Sequence, residues 1–160
     1  MMDQYCYRVH DRLEMVVEKF FDITYANGYR VDIDAQDAWG QTPLHLALAN
    51  KCKKVAELLL EYGADPNLAN AEGLTSLHYI CQLDQHDQSI ELLNAFFDIS
   101  DAYHRIDLEV DAQDKLNRTP LRLASLNGNY KMSKLLLKRG ADLNLAGLNQ
   151  WQERLIETEG

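Results

Sequence analysis

The apolar positions of the chain form short helical patterns that are separated by turns. In residues 37–69, Thr42 and Pro43 predict a helix start, because threonine can cap the first N–H groups and proline suits the first helical position. The run Leu58-Leu59-Leu60 marks a second amphipathic helix, and Gly63 can take the positive φ that ends it. The pattern therefore predicts a turn, two helices and an extended finger within 33 residues.

The same pattern recurs along the chain. After the segment that starts at Asp37, it returns at intervals of 33 and then 44 residues, in the forms Asp37-x-x-Gly40-x-Thr42-x-Leu44-His45, Asn70-x-x-Gly73-x-Thr75-x-Leu77-His78 and Asp114-x-x-Asn117-x-Thr119-Pro120-Leu121-Arg122. The finger returns too, first as Gly63-Ala64-Asp65-Pro66-Asn67-Leu68-Ala69 and later as Gly140-Ala141-Asp142-Leu143-Asn144-Leu145-Ala146. A fixed period of this kind is the signature of a repeat protein.

At these residues the sequence resembles the ankyrin repeat, whose signature includes Thr-Pro-Leu-His. The resemblance implies an all-α solenoid of stacked helix-turn-helix units with β-hairpin-like fingers, over roughly residues 12–150. We expect one domain over residues 1–160. Its predicted parts are a degenerate N-terminal repeat (3–36), a repeat (37–69), a repeat with an insertion near 100–107 (70–113), a repeat (114–146) and a C-terminal cap (147–160).

Two segments depart from the regular repeat. Residues 3–11 lack Thr-Pro-Leu-His, which predicts a first helix that is short, altered or missing, as in a capping repeat. In residues 70–113 no glycine ends the second helix, so we expect an extended helix followed by a loop. Phe96-Phe97-Asp98-Ile99 echoes Phe20-Phe21-Asp22-Ile23, which suggests a two-repeat block that was copied once.

Charge and composition narrow the choice of partner. The formal charge of −9 argues against nucleic acid as the main partner and favours a neutral or basic protein surface. The sequence has neither an apolar run of about 20 residues nor a signal pattern, so we expect a cytoplasmic or nuclear protein that contacts no membrane. The three cysteines show no paired spacing and are expected to be reduced thiols. The capped ends favour a monomer.

The titratable residues do not form a catalytic or metal-binding motif. His45 and His78 lie one repeat apart, but a metal or general-base site needs several converging ligands. The ankyrin resemblance instead implies that each histidine bonds the threonine at its helix start. For the pairs Asp32/Asp34 and Glu109/Asp111, strand-like alternation predicts that both carboxylates face solvent. We therefore expect no enzyme activity, no metal and no cofactor.

Two asparagines are candidates for modification. Asn67 and Asn144 occupy the finger position that asparagine hydroxylases modify in ankyrin proteins, and Leu59 and Leu136 lie eight residues upstream. The alternative is that each asparagine simply bonds its turn.

The resemblance also implies where a partner binds. Ankyrin arrays recognise proteins with the finger tips and the exposed side of the first helices, on the concave face. The candidate partner-binding residues are therefore Trp39, Gln41, Asn50, Glu72, Leu74, Leu83, Leu116, Arg118 and Asn127. Tryptophan, leucines and arginine in one strip are typical of interface anchors. The alternative is that Trp39, Leu74 and Leu116 pack against neighbouring fingers.

These features predict a non-enzymatic protein that binds another protein. Short arrays of this kind are similar to inhibitors of Rel-type transcription factors. The sequence has no paired-serine phosphodegron and no acidic tail rich in Pro, Ser and Thr, so the similarity implies a constitutive inhibitor. A different alternative is a structural spacer segment of a larger scaffold protein.

Overall fold

The structure is a computed structural model, and it describes residues 3–83, 87–103 and 107–148. The helices of these residues are α1 (Asp3–Ala26), α2 (Pro43–Ala49), α3 (Lys53–Glu61), α4 (Ser76–Gln82), α5 (Asp87–Tyr103), α6 (Pro120–Leu126) and α7 (Tyr130–Lys138). No strand occurs within these ranges. The all-α fold predicted from the sequence is therefore confirmed. Residues 104–106 of the predicted insertion and residues 149–160 of the predicted cap lie outside the described residues.

The helices form two layers. In the inner layer α4 packs between α2 and α6, and in the outer layer α5 packs between α3 and α7. Each inner helix also packs against the outer helix that follows it in sequence. Helix α1 packs against α3 and so belongs to the outer layer. Each repeat thus contacts its neighbours through both layers, as expected of a solenoid.

A single apolar core lies between the layers. The leucine of the Thr-x-Leu motif is fully buried in every inner helix, at Leu44, Leu77 and Leu121. From the outer layer, Leu59 and Leu136 are buried at matching positions of α3 and α7. The periodic leucines of the sequence are therefore the residues that join one repeat to the next.

The first repeat has an outer helix but no described inner helix. Residues 3–36 contain the single 24-residue helix α1, followed by turns. The repeat at 70–113 differs in another way, because α5 has 17 residues whereas α3 and α7 have nine each. Most of the extra length of that repeat is therefore a longer outer helix.

The expectation that both members of each carboxylate pair face solvent was wrong. Asp34 accepts a hydrogen bond from the Asp65 N–H at 3.0 Å, and Asp111 accepts one from the Asp142 N–H at 3.0 Å. Both carboxylates are half-buried because the next finger starts above them. They accept a hydrogen bond there because the backbone N–H of that finger needs an acceptor. Burial raises the pKa of Asp34, although the bond from Asp65 opposes this effect. Asp34 and Asp111 therefore link successive fingers.

Candidate protein-binding surface

Each finger tip is a tight turn that is closed by the first residue of its repeat. The Asp37 carboxylate accepts the Trp39 N–H at 2.9 Å and the Gln41 N–H at 2.8 Å. Asn70 and Asp114 form the same two bonds in their own turns. Short Asp and Asn side chains suit this role because they reach backbone N–H groups two and four residues ahead. The three tips therefore share one rigid conformation.

Backbone hydrogen bonds join the three tips into a row. The Ala71 N–H donates to the Trp39 carbonyl at 2.9 Å, and the Lys115 N–H donates to the Glu72 carbonyl at 3.0 Å. This close approach requires glycine at Gly40, because a Cβ there would lie 2.8 Å from the Ala71 nitrogen. The row of tips at 38–41, 71–74 and 115–118 is called the finger strip below.

The histidine of the repeat is a structural residue, as the ankyrin resemblance implied. The Thr42 N–H donates to His45 Nδ1 at 3.1 Å, and the Thr75 N–H donates to His78 Nδ1 at 3.2 Å. Each neutral ring therefore carries its hydrogen on Nε2, and His78 donates it to the Arg118 carbonyl at 2.9 Å. His78 thus couples its helix start to the next finger.

The third repeat makes the equivalent link with a different residue. Arg122 stands in place of the histidine, and its Nη1 donates to the Gly147 carbonyl at 3.2 Å. The two histidines are fully buried, and burial lowers the pKa of both. A buried imidazole whose Nδ1 is occupied by a backbone N–H has no free position for a general-base role.

The predicted binding residues divide into an exposed and a half-buried group. Trp39 and Leu116 have 69% and 68% of their surface exposed, so neither packs against a neighbouring finger. Glu72, Asn50 and Asn127 are exposed as well. The half-buried members are Gln41, Leu74, Leu83 and Arg118.

Some half-buried members are held by other residues of the chain. Arg118 forms an ion pair with the buried Asp114, with 2.6 Å between Nη2 and Oδ2. Burial by itself would raise the pKa of Asp114, but the bonds from Arg118 and from backbone N–H groups bring it below its ordinary value. Much of the Arg118 charge is therefore neutralised within its own finger.

Tyr79, which is not among the predicted binding residues, joins two fingers to an inner helix. The Tyr79 hydroxyl accepts hydrogen bonds from Gln41 Nε2 and Asn70 Nδ2, both at 3.0 Å. Its ring also lies 5.0 Å from the His45 ring. Tyr79 occupies the position directly after the repeat histidine, where Leu46 in α2 is 44% exposed. Both residues could have been identified from the sequence, because each directly follows the histidine of its repeat.

The two candidate hydroxylation sites differ in their surroundings. Asn67 Nδ2 donates to the Asp107 carbonyl at 2.8 Å, and the Asn67 side-chain oxygen accepts the Glu109 N–H at 3.0 Å. Asn67 therefore holds Asp107 and Glu109, at the C-terminal end of the predicted insertion, by two hydrogen bonds. Asn144 is exposed, and its N–H donates to the Asp142 carboxylate at 2.7 Å. Hydroxylation of either residue stays a prediction.

Reactive groups are scarce in the part of the chain that the structure covers. Cys52 and Cys81 are buried thiols that form no disulfide with any described residue, and burial raises the pKa of the Cys81 thiol. Among the described residues, no three His, Cys, Asp or Glu side chains are grouped to hold a metal ion. None of the described helices has the length and apolar character that crossing a bilayer would need.

Comparison with known proteins places the chain in a family. A family model for ankyrin repeats in three copies matches residues 13–102 and 68–146. The chain therefore belongs to the ankyrin-repeat family, whose repeats serve as protein-interaction modules.

Individual relatives include proteins with very different overall lengths. The B-cell lymphoma 3 protein homolog of Mus musculus is 32% identical over 125 residues, which are 78% of this chain and 26% of that protein. NF-kappa-B inhibitor alpha of Sus scrofa is 29% identical over 136 residues, which are 85% of this chain and 41% of that protein. Rabankyrin-5 of Homo sapiens is 35% identical over 100 residues, or 62% of this chain and 8% of that protein. The chain thus spans less than half the length of each of these relatives.

Proposed function

We propose that this chain is a non-enzymatic module that binds a protein partner through its concave face, in the cytoplasm or nucleus. The observation that carries the proposal is the exposure of Trp39 and Leu116, 69% and 68%, at the tips of a hydrogen-bonded row of fingers. A large aromatic or aliphatic side chain at such a tip costs solvation free energy in the unbound protein and is a typical anchor in an interface.

The rigidity of the finger strip supports the same proposal. Carboxylate or amide oxygens brace each tip at 2.8 to 3.0 Å, and main-chain bonds join one tip to the next. Binding to a surface that is already ordered loses little conformational entropy. Glu72 lies between the two apolar anchors along the strip, so a partner with a basic group between two apolar groups would complement it.

The test is a binding comparison between the wild-type chain and the double variant Trp39→Ala, Leu116→Ala. Affinity capture from a cell lysate, followed by mass spectrometry, should identify proteins that the wild type retains and the double variant loses. Tyr29→Ala is the matched control, because Tyr29 is 70% exposed but lies just after α1, away from the finger tips. Identical protein lists for wild type and double variant would refute binding at the finger strip, provided that both melt at the same temperature.

A more specific candidate is a constitutive inhibitor of a Rel-type transcription factor. Its support is the similarity to NF-kappa-B inhibitor alpha, which extends over 85% of this chain. Titration of a purified Rel homology dimer with the chain should give saturable binding that the double variant weakens at least about tenfold. Saturable capture of other proteins without any Rel binding would leave the general proposal intact and remove this one.

The spacer alternative makes the opposite prediction for every probe. A purely structural segment would retain no protein on its concave face, and neither Trp39→Ala nor Leu116→Ala would change any capture.

Modification of Asn67 and Asn144 is a separate proposal, and incubation with an asparagine hydroxylase followed by peptide mass analysis tests it directly.

A further inference from the structure

The inner helices carry almost no ionic charge. Helices α2, α4 and α6 together contain one Asp, Glu, Lys or Arg side chain, Arg122, which already donates to the Gly147 carbonyl. The outer helix α3 alone contains two lysines and two glutamates. On the inner layer Leu46 and Leu126 are 44% and 59% exposed. Exposed apolar side chains without charged neighbours are typical of the core of a protein interface, so this layer suits an uncharged part of a partner.

Gln41, in the first finger tip, is held in a fixed orientation beside this layer. Its Nε2 donates to the Tyr79 hydroxyl at 3.0 Å, and Asn70 Nδ2 donates to the same hydroxyl at 3.0 Å. Asn70 is fixed in turn, because its side-chain oxygen accepts the Glu72 and Leu74 N–H groups. The Gln41 amide is therefore preorganised between the first and second finger tips.

The Gln41 amide keeps one acceptor and one donor that no described residue uses. Its Oε1 accepts no hydrogen bond within the described ranges. The Ser76 hydroxyl is the one buried side-chain oxygen without a partner there, so the Gln41 oxygen is accessible to solvent. Its Nε2 has two hydrogens, of which one points at Tyr79. A carboxamide with a free oxygen and a free N–H complements the C=O and N–H groups of a main chain.

Asn67 shows what a finger amide of this kind binds. Its Nδ2 donates to the Asp107 carbonyl at 2.8 Å, and its side-chain oxygen accepts the Glu109 N–H at 3.0 Å. Residues 107–109 are not helical, so their main-chain groups are available to a side chain. Within an α-helix these groups are bonded to one another. A ligand of such an amide must therefore have an extended main chain.

We propose that the Gln41 amide binds the main chain of an extended segment of the partner, which then runs along the finger strip past Glu72 to Leu116. This inference rests on the proposed function, since it gives the chemistry of the partner at the same surface. Packed helices lie about 8–10 Å apart, so neighbouring tips are separated by about that distance. An extended chain advances about 3.3 Å per residue. A basic side chain opposite Glu72 is therefore about three residues from the bound main chain, and an apolar one opposite Leu116 about six.

The three tips differ in a way that gives the segment a direction. The positions equivalent to Gln41 in the second and third tips are Leu74 and Arg118, and Arg118 is paired with Asp114. The first tip is thus the one with an amide for the main chain, whereas the other two contact side chains. The formal charge of −9 attracts a segment with a basic residue.

Selection of a random peptide library displayed on phage, with the purified full chain as bait, tests the proposal. Enriched peptides should carry a basic residue and an apolar residue about three positions further on. Repeating the selection with Glu72→Gln should remove the preference for the basic residue. Glu61→Gln is the matched control, because Glu61 is exposed at the end of the outer helix α3, and it should keep that preference.

Fluorescence anisotropy with an enriched synthetic peptide then tests the contact at Gln41. Gln41→Leu should weaken binding by about five- to tenfold, as expected for lost hydrogen bonds. Asn94→Leu removes an exposed amide from the outer helix α5 and should leave binding unchanged. In a scan of peptides with one backbone amide replaced by an ester, one position should weaken binding to the wild type and have no effect on binding to Gln41→Leu. A merely structural role of Gln41 would not produce that coupling.

Three results would overturn the extended segment: enrichment of peptides that become helical when bound, enrichment of no peptide, or equal affinities of Gln41→Leu and the wild type. If Gln41→Leu fails to fold by circular dichroism, Gln41→Met replaces it, because methionine has a similar length and no amide. The lysate capture is a separate readout. Proteins lost with Trp39→Ala, Leu116→Ala would support binding at the finger strip even if the extended segment fails, whereas retention of neither peptide nor protein would refute both proposals.

Discussion

Residues Phe20-Phe21-Asp22-Ile23 and Phe96-Phe97-Asp98-Ile99 are the same four residue types on two outer helices, but they have different surroundings. Phe21 and Phe97 are both buried, whereas Phe20 is 51% exposed and Phe96 is 1% exposed. The difference follows from position in the solenoid, because α5 packs against α3, α4 and α7, whereas α3 is the one described helix that packs substantially against α1. Burial in a repeat protein therefore depends on the neighbouring repeat as much as on the residue.

The backbone of the fingers shows the same dependence on the neighbouring repeat. Gly40 and Gly73 are each followed by a finger whose main chain lies within 3 Å of the point that a Cβ atom would occupy. Asn117, which lies in the last finger tip that the structure describes, takes the same left-handed conformation with φ of 56°. A side chain is accommodated there because no following tip within the described residues crowds it.

The largest expected effect is the loss of stability when the Phe96 side chain is truncated. Truncation by Phe96→Ala leaves a cavity in the core, and we expect the free energy of unfolding to fall by about 3–5 kcal/mol. Phe20→Ala, the matched control, should change it by less than about 0.5 kcal/mol, because Phe20 is 51% exposed. Urea unfolding followed by circular dichroism measures both. Equal losses for the two variants would contradict the contrast between α1 and α5.

The next effect concerns the finger glycines. In Gly73→Ala the new Cβ would lie 2.9 Å from the Lys115 nitrogen at a φ of +80°, so we expect a loss of at least about 2 kcal/mol. Asn117→Ala meets only the cost of a left-handed backbone and should lose about 1 kcal/mol. Thermal unfolding of the two variants gives the ranking, and a larger loss at Asn117 would refute the crowding argument.

Acid should destabilise the middle of the stack through its two buried histidines. Burial lowers the pKa of His45 and His78 below the ordinary value of 6.5, so the unfolded state binds protons first as pH falls. Their contribution is complete above about pH 6.5 and declines below it, by about 1.4 kcal/mol for each unit of pKa difference.

Urea unfolding at pH 7 and pH 5 measures this dependence. The loss of stability between the two pH values should be smaller in His45→Gln and in His78→Gln than in the wild type. Both pH values lie above the range in which Asp114 titrates, because its pKa is below the ordinary value of 3.8. An unchanged pH dependence in both variants would exclude the histidines as its source.

The smallest expected effect is a gain in stability from replacing Ser76. Ser76 is the first residue of α4, and the equivalent first residues of α2 and α6 are Pro43 and Pro120. The Ser76 hydroxyl is buried without a hydrogen-bond partner among the described residues, and its N–H makes only a long bond of 3.4 Å to the Pro66 carbonyl. Thr75 already has the extended backbone that precedes proline. Ser76→Pro should therefore raise the free energy of unfolding by about 0.5 kcal/mol.

Ser76→Ala is the control for this gain, because it removes the hydroxyl without fixing the backbone. Differential scanning calorimetry should rank Ser76→Pro above Ser76→Ala and both at or above the wild type. A melting temperature of Ser76→Pro below that of the wild type would indicate that the N–H bond to Pro66 outweighs the effect of the ring.

The finger strip shows how far register alone predicts a surface. Counting from the repeat motif placed Trp39 and Leu116 at finger tips, and the structure finds both exposed. Register did not reveal that Arg118 pairs with Asp114 or that Gln41 bonds Tyr79, because those contacts depend on side-chain direction and on the following repeat. Asp34 and Asp111 were misjudged for the same reason, since each is bonded by a backbone N–H 31 residues away.

The sequence by itself determined the repeat, its helices and its turns. Those features rest on local interactions within a few residues: the threonine caps, proline at the first helical position, and glycine where φ is positive. Only the tertiary structure decided which members of the pattern are exposed, because exposure depends on chain segments 30 or more residues away in sequence. In the identical Phe-Phe-Asp-Ile segments, the first phenylalanine is thus buried in α5 and half exposed in α1.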